Sequence, residues 1–91
     1  QNAGKADRGT PLLEEALGLR RATHGSDDSF TLTIANNLAL AWLDAGQTER
    51  ALPLFEETLQ RRNATLGPDH YDTLNSLQNL AHGYQAAGKL S

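Results

Sequence analysis

Sliding the chain against itself by 42 residues pairs residues 3–44 with 45–86, and 18 of the 42 pairs are identical. The identities run the length of the period: Pro11/Pro53, Leu12/Leu54, Arg20/Arg62, Gly25/Gly67, Thr31/Thr73, Asn37/Asn79, Leu38/Leu80 and Ala39/Ala81 are among them. Self-similarity at this period marks a solenoid or a propeller, in which each unit buries its apolar face only against its neighbours. A third copy begins at 87–91 with Ala87-Gly88-Lys89.

The spacing of apolar residues is helical. At about 100° per residue with Leu38 at zero, Ile34, Ala35, Ala41 and Trp42 fall within about 60° of it. Ala51, Leu52, Phe55, Thr58, Leu59 and Arg62 follow at steps of three and four, and Glu57 stands one turn before Arg61, a favourable surface pair. Leu and Ala dominate the apolar residues, with five aromatics, as in packed helices rather than strands.

Gly46 in Ala45-Gly46-Gln47 suits the left-handed turn that closes a helix, with Thr48 able to cap the next one. In Leu66-Gly67-Pro68-Asp69-His70, Gly and Pro break a helix and Asp69 is the expected cap. These signals predict helices over 6–23, 29–44, 48–65 and 71–86, with Pro11 and Pro53 near the first turns of theirs, where only a mild bend follows. Connections this short make neighbours antiparallel. The fold class is therefore an all-α solenoid of about four helices.

Leu38-Ala39-x-x-Trp42, Gly46 and Ala51-x-x-x-Phe55, then Leu80-Ala81-x-x-Tyr84 and Gly88, resemble the alternation of small and large residues in a tetratricopeptide repeat. That repeat has 34 residues. The eight extra ones here lie in a longer second helix and its loop, which is similar to the 42-residue repeats of kinesin light chains and many bacterial proteins. Gly67-Pro68-Asp69-His70 and Asn36-Asn37-Leu38-Ala39 are close to that subtype's Gly-x-Asp-His-Pro and Asn-Asn-Leu-Ala, while Tyr71 and Ser29 replace its helix-starting proline, and Gly9 and Thr58 replace usual alanines.

The resemblance implies a superhelix whose first helices line a concave groove. It sets the helix phase as second, first, second, first, with units 3–44 and 45–86, in a right-handed stack. It also implies a scaffold or adaptor that binds a protein or peptide. Opposite Leu38 on the second helix lie Thr33, Asn36 and Leu40, flanked by Asn37 and Asp44; the fourth helix offers Asn75, Gln78, Asn79 and His82. By resemblance Asn37 and Asn79 contact peptide backbone, since an amide matches the donor and acceptor of a peptide unit; the alternative is that they brace neighbouring helices. Leu40 is either an apolar anchor or packing. No Lys or Arg occurs in 29–44 or 71–86, so a cationic clamp on a ligand carboxylate has no residues to build it.

A net charge of -3 without a basic stripe argues against nucleic acid, and no apolar run reaches the roughly 20 residues that span a bilayer. His24, His70 and His82 are too scattered for a metal site. Glu14/Glu15 and Glu56/Glu57 stand on solvated faces with no nucleophile and base beside them. Neither catalysis nor a cofactor is expected, and cytoplasm is the default compartment. Without methionine, the chain is expected to be a fragment of a longer protein, a self-assembly element or the regulatory arm of a signalling protein being the alternative roles. Open solenoid ends are expected to associate through Leu13, Leu17, Leu77 and Tyr84.

Overall fold

A helix begins where a side chain can accept from its first free N–H groups and ends where the chain can turn left-handed. The computed structural model describes the backbone of residues 2–88 and the side chains of 9–88. Its helices are α1 (Asn2–His24), α2 (Ser29–Asp44), α3 (Thr48–Leu66) and α4 (Tyr71–Ala86). No strand occurs among the described residues. Of the third copy, expected at 87–91, residues 89–91 lie outside them.

Each boundary has a local cause. Asp28 stands extended before α2, and its Oδ2 accepts from the Thr31 N–H at 3.1 Å. The same oxygen accepts from Arg20 Nε at 2.9 Å. The Arg20 hydrogen bond is the main reason that the Asp28 carboxyl is held down to about 2, the Thr31 amide helping.

At the far end of α2, Gly46 adopts φ 83°. Its N–H donates to Leu43 O at 3.0 Å and that of Gln47 to Trp42 O at 2.8 Å, the paired bonds of a Schellman turn. A side chain with a Cβ would strain at that φ.

Two expected caps are corrected. Gln47, not Thr48, is the residue before α3, and it makes no side-chain cap bond, because its backbone is already committed to closing α2. Asp69 lies within the turn, and His70 caps α4 by accepting from the Asp72 N–H on Nδ1 at 3.0 Å. His70 is the repeat partner of Asp28. Helix α1 also starts at Asn2 rather than at 6, running straight through Ala3-Gly4. Pro11 consequently lies well inside α1, whereas Pro53 remains near the start of α3.

An imidazole accepts only in its neutral form, and a cation at a helix N-terminus opposes the helix dipole. Substituting the residue used in the first copy, His70→Asp, is expected to stabilise the chain by about 1 kcal/mol, raising Tm by about 5 °C. Thermal melts of the two proteins at neutral pH check this, and a lower Tm in the variant would count against the cap.

Consecutive helices pack on one another, and α2 also touches α4, whereas α1 and α3 do not pack together among the described residues. The inner layer is thus α2 and α4, with α1 and α3 outside, in a slab 38 × 36 × 17 Å. The core runs through Leu17, Leu38, Ala39, Leu52, Phe55 and Leu80. Leu17, expected at an open end, is buried at 5% exposure in this core, and Leu13 and Tyr84 are half-buried. The leucines that do face out are Leu12 and Leu19 on α1, Leu66 at the end of α3, and Leu74 and Leu77 on α4.

Ion pairs bridge the splayed outer layer. Arg61 pairs with Glu57 at 2.9 Å, one turn away, and with Asp27 at 3.0 Å. Arg21 of α1 reaches Glu57 at 3.2 Å. These pairs are surface-exposed in part, and each such contact contributes little to stability.

Candidate functional site

Because α2 and α4 belong to successive copies of one unit, positions related by 42 residues lie beside each other along their seam. Asn79 of α4 uses both hydrogens of Nδ2 there: one goes to Asn36 Oδ1 of α2 at 3.0 Å, the other to Asn75 Oδ1 at 2.9 Å. A carboxamide has two N–H donors and one carbonyl acceptor. The cluster therefore leaves the amide hydrogens of Asn36 and Asn75 and the Oδ1 of Asn79 available, an alternation of donor and acceptor.

The other sequence-predicted positions spread around this cluster. Asn36 is itself buried at 9% exposure, correcting its expected place on an open polar face: the seam with α4 covers it. Asn37, Asp44, Gln78 and His82 are exposed and carry no side-chain hydrogen bond among the described residues. Thr33 is exposed and donates to Ser29 O at 3.1 Å. Leu40 is half-buried against the hydrophobic core, so packing accounts for it.

Asn37 and Asn79 occupy equivalent positions but not equivalent roles. Asn79 has Asn36 of the preceding unit to hold, while Asn37 has no amide across from it among the described residues.

Arg62 falls in the apolar spacing of α3, a cation at a core position, and it is buried at 5% exposure. Its Nη1 donates to Ser76 Oγ at 2.8 Å and to Asp72 O at 3.2 Å, and its Nη2 reaches Thr33 Oγ1 at 3.5 Å. Three helices are joined beneath the seam by one guanidinium. Burial pulls the Arg62 pKa down, with the Asp72 charge opposing.

An open cleft of 960 Å³ lies at the α2–α3 turn, lined by Gly46, Glu49, Pro53, Glu56, Tyr84 and Ala87 among others, and includes none of Asn36, Asn75 and Asn79. The Tyr84 hydroxyl donates to Glu56 there, and that carboxylate pushes the phenol above its ordinary value. Among the described residues no group of three or more His, Asp or Glu could hold a metal ion. No helix is long and apolar enough to cross a membrane.

Comparison with protein families matches residues 31–72 to the tetratricopeptide repeat. No curated protein matches the chain. The matched span is one 42-residue period, taking in most of α2, all of α3 and the first residues of α4. Repeats of this kind mediate protein–protein interaction. With a helical period of 42 residues, four helices in two layers and this match, residues 31–72 form a tetratricopeptide repeat within an all-helical fold of the same kind.

Proposed function

We propose that this chain is a scaffold segment that binds an extended peptide along the seam of α2 and α4, and that it does no chemistry itself. The observation that carries the reading is the Asn36–Asn79–Asn75 chain of amides, which leaves donors and an acceptor where two first helices meet. An extended peptide presents the complementary groups at its backbone. Thr33, Asn37, Asp44, Gln78 and His82 flank that line. Asp44 is the one charged side chain on α2 and Asp72 the one on α4. The groove therefore favours peptides with apolar or basic side chains and repels acidic ones. Two units offer little area, which puts the dissociation constant in the range of about 1–100 μM.

The test separates binding from bracing. Peptides selected from a displayed random library are titrated into labelled protein while the side-chain amide resonances of Asn37, Asn75 and Gln78 are followed. Asn37→Ala is expected to weaken a selected peptide about tenfold with unchanged melting, as an exposed residue should. Asn79→Ala should weaken it similarly and also destabilise the fold by about 1 kcal/mol, through the two lost bonds. If selected peptides shift only resonances of α1 and α3, or if Asn37→Ala leaves affinity unchanged, the groove is not the binding surface.

A further inference from the structure

Two equivalent helix starts in this chain use different chemistry. Before α2, the Asp28 carboxylate accepts from the Thr31 N–H and pairs with Arg20 at 2.9 Å. At the matching place before α4, His70 accepts from the Asp72 N–H on Nδ1 at 3.0 Å. Arg62, the repeat partner of Arg20, has no carboxylate within ion-pair distance among the described residues. An imidazole that accepts on Nδ1 carries its proton on Nε2, and a second proton, on Nδ1, removes the acceptor. That change ordinarily falls between about pH 5 and about pH 8, and His70 is exposed to the solvent that delivers the proton.

A contiguous set of hydrogen bonds leads from this cap to the α2–α4 seam. The Asp72 carbonyl accepts from Arg62 Nη1 at 3.2 Å, the same nitrogen donates to Ser76 Oγ at 2.8 Å, and Nη2 reaches Thr33 Oγ1 of α2 at 3.5 Å. Arg62 is buried, so these few partners place its guanidinium. Asn75, which accepts from Asn79, lies one turn further along α4. The charged groups around the ring are Asp69 in its own loop, Asp72 on α4 and Arg62 on α3; α2 contributes none, since its one charged residue, Asp44, is at its far end. The two carboxylates ease the charging of the ring, but neither holds the Asp72 N–H in this structure. Against them stand the helix dipole and Arg62, beside which the first copy puts a carboxylate rather than a cation.

We propose that His70 makes the start of α4 acid-sensitive: protonation releases its first turn, withdraws the Asp72 carbonyl from Arg62 and loosens the seam, so that a peptide held there is let go on acidification. The start of α2 holds throughout, because the Arg20 hydrogen bond keeps the Asp28 carboxyl down at about 2 and hence ionised over this range. Release of peptide rests on the binding reading given above; release of the helix start does not.

An NMR titration of the isotope-labelled full chain from about pH 7.5 to about pH 5 tests the switch. The His70 ring should show the Nε2–H tautomer at the upper end. As the ring charges, the Asp72 amide should lose protection about fivefold after correction for intrinsic exchange, while the Thr31 amide keeps its own. The side-chain resonances of Arg62 and Asn75 should move with the same midpoint, and His70→Asp should abolish all of these changes. An Nδ1–H tautomer at neutral pH, or an Asp72 amide that stays protected while the ring charges, would overturn the proposal. Arg62 and Asn75 resonances that stay still would overturn the coupling to the seam. A peptide selected from the displayed library is then titrated at both ends of the range. Acid should weaken it more in the unaltered chain than in His70→Asp, a comparison that cancels His82, which flanks the seam in both proteins; equal weakening would overturn peptide release. If no selected peptide binds at the seam at either pH, the binding reading fails and the resonances of Asp72, Arg62 and Asn75 still decide the switch.

Discussion

Phe55→Ala is expected to lower the unfolding free energy by about 4 kcal/mol, a large fraction of the roughly 5–15 kcal/mol that holds a domain folded. Phe55 is fully buried at the centre of the core, on α3 between α2 and α4. The cavity left behind cannot be refilled from α4, because the residue opposite is Gly83. Urea denaturation followed by circular dichroism measures the effect, and a loss below about 2 kcal/mol would show that the core is not centred there.

The same contact predicts a coupling. A Cβ on Gly83 would stand 3.0 Å from Leu52 Cδ2 and 3.3 Å from Phe55 Cδ2. Alanine there gains about 1 kcal/mol in helix propensity, yet must push aside two buried side chains. The first copy carries the reciprocal choice: Leu13 stands where the second has Phe55, Thr10 where it has Leu52, and Ala41 where it has Gly83. Gly83→Ala is therefore expected to be less damaging beside Phe55→Leu than in the unaltered chain, with an interaction free energy of about 1 kcal/mol in a double-mutant cycle. Additive losses would mean that the two sites do not share the space.

Arg62→Ala is expected to cost about 3 kcal/mol. Truncation leaves Ser76 Oγ and Asp72 O without their donor and opens a space under the α2–α4 seam. No carboxylate lies within ion-pair distance of the guanidinium among the described residues, so no opposite charge is stranded by its loss. Arg62→Met should accordingly cost less than Arg62→Ala, because it refills the space while removing a charge whose burial is itself unfavourable. Chemical denaturation of both variants measures this. A change within about 0.5 kcal/mol for Arg62→Ala would place the residue on the surface in solution.

The sequence alone determined the repeat, the number of helices, the limits of α2 and α4 and the turn at Gly46. All of these are local: they follow from spacing along one helix and from the φ that only glycine adopts readily, and the 42-residue identity needs no folded chain to be read. Caps were legible only in part, since Asp69 and His70 are both plausible acceptors and the choice depends on where the loop leaves the preceding helix. The amides were located by helical phase, yet phase gives the direction of a side chain and not what lies across from it. That Asn79 holds Asn36 while Asn37 stays open, that Leu17 turns inward, and that Arg62 is buried beneath the seam were decided by how the four helices cross. Tertiary packing brings together residues 43 and 29 positions apart, and a long side chain such as Arg62 takes its partners from whichever helix comes within reach.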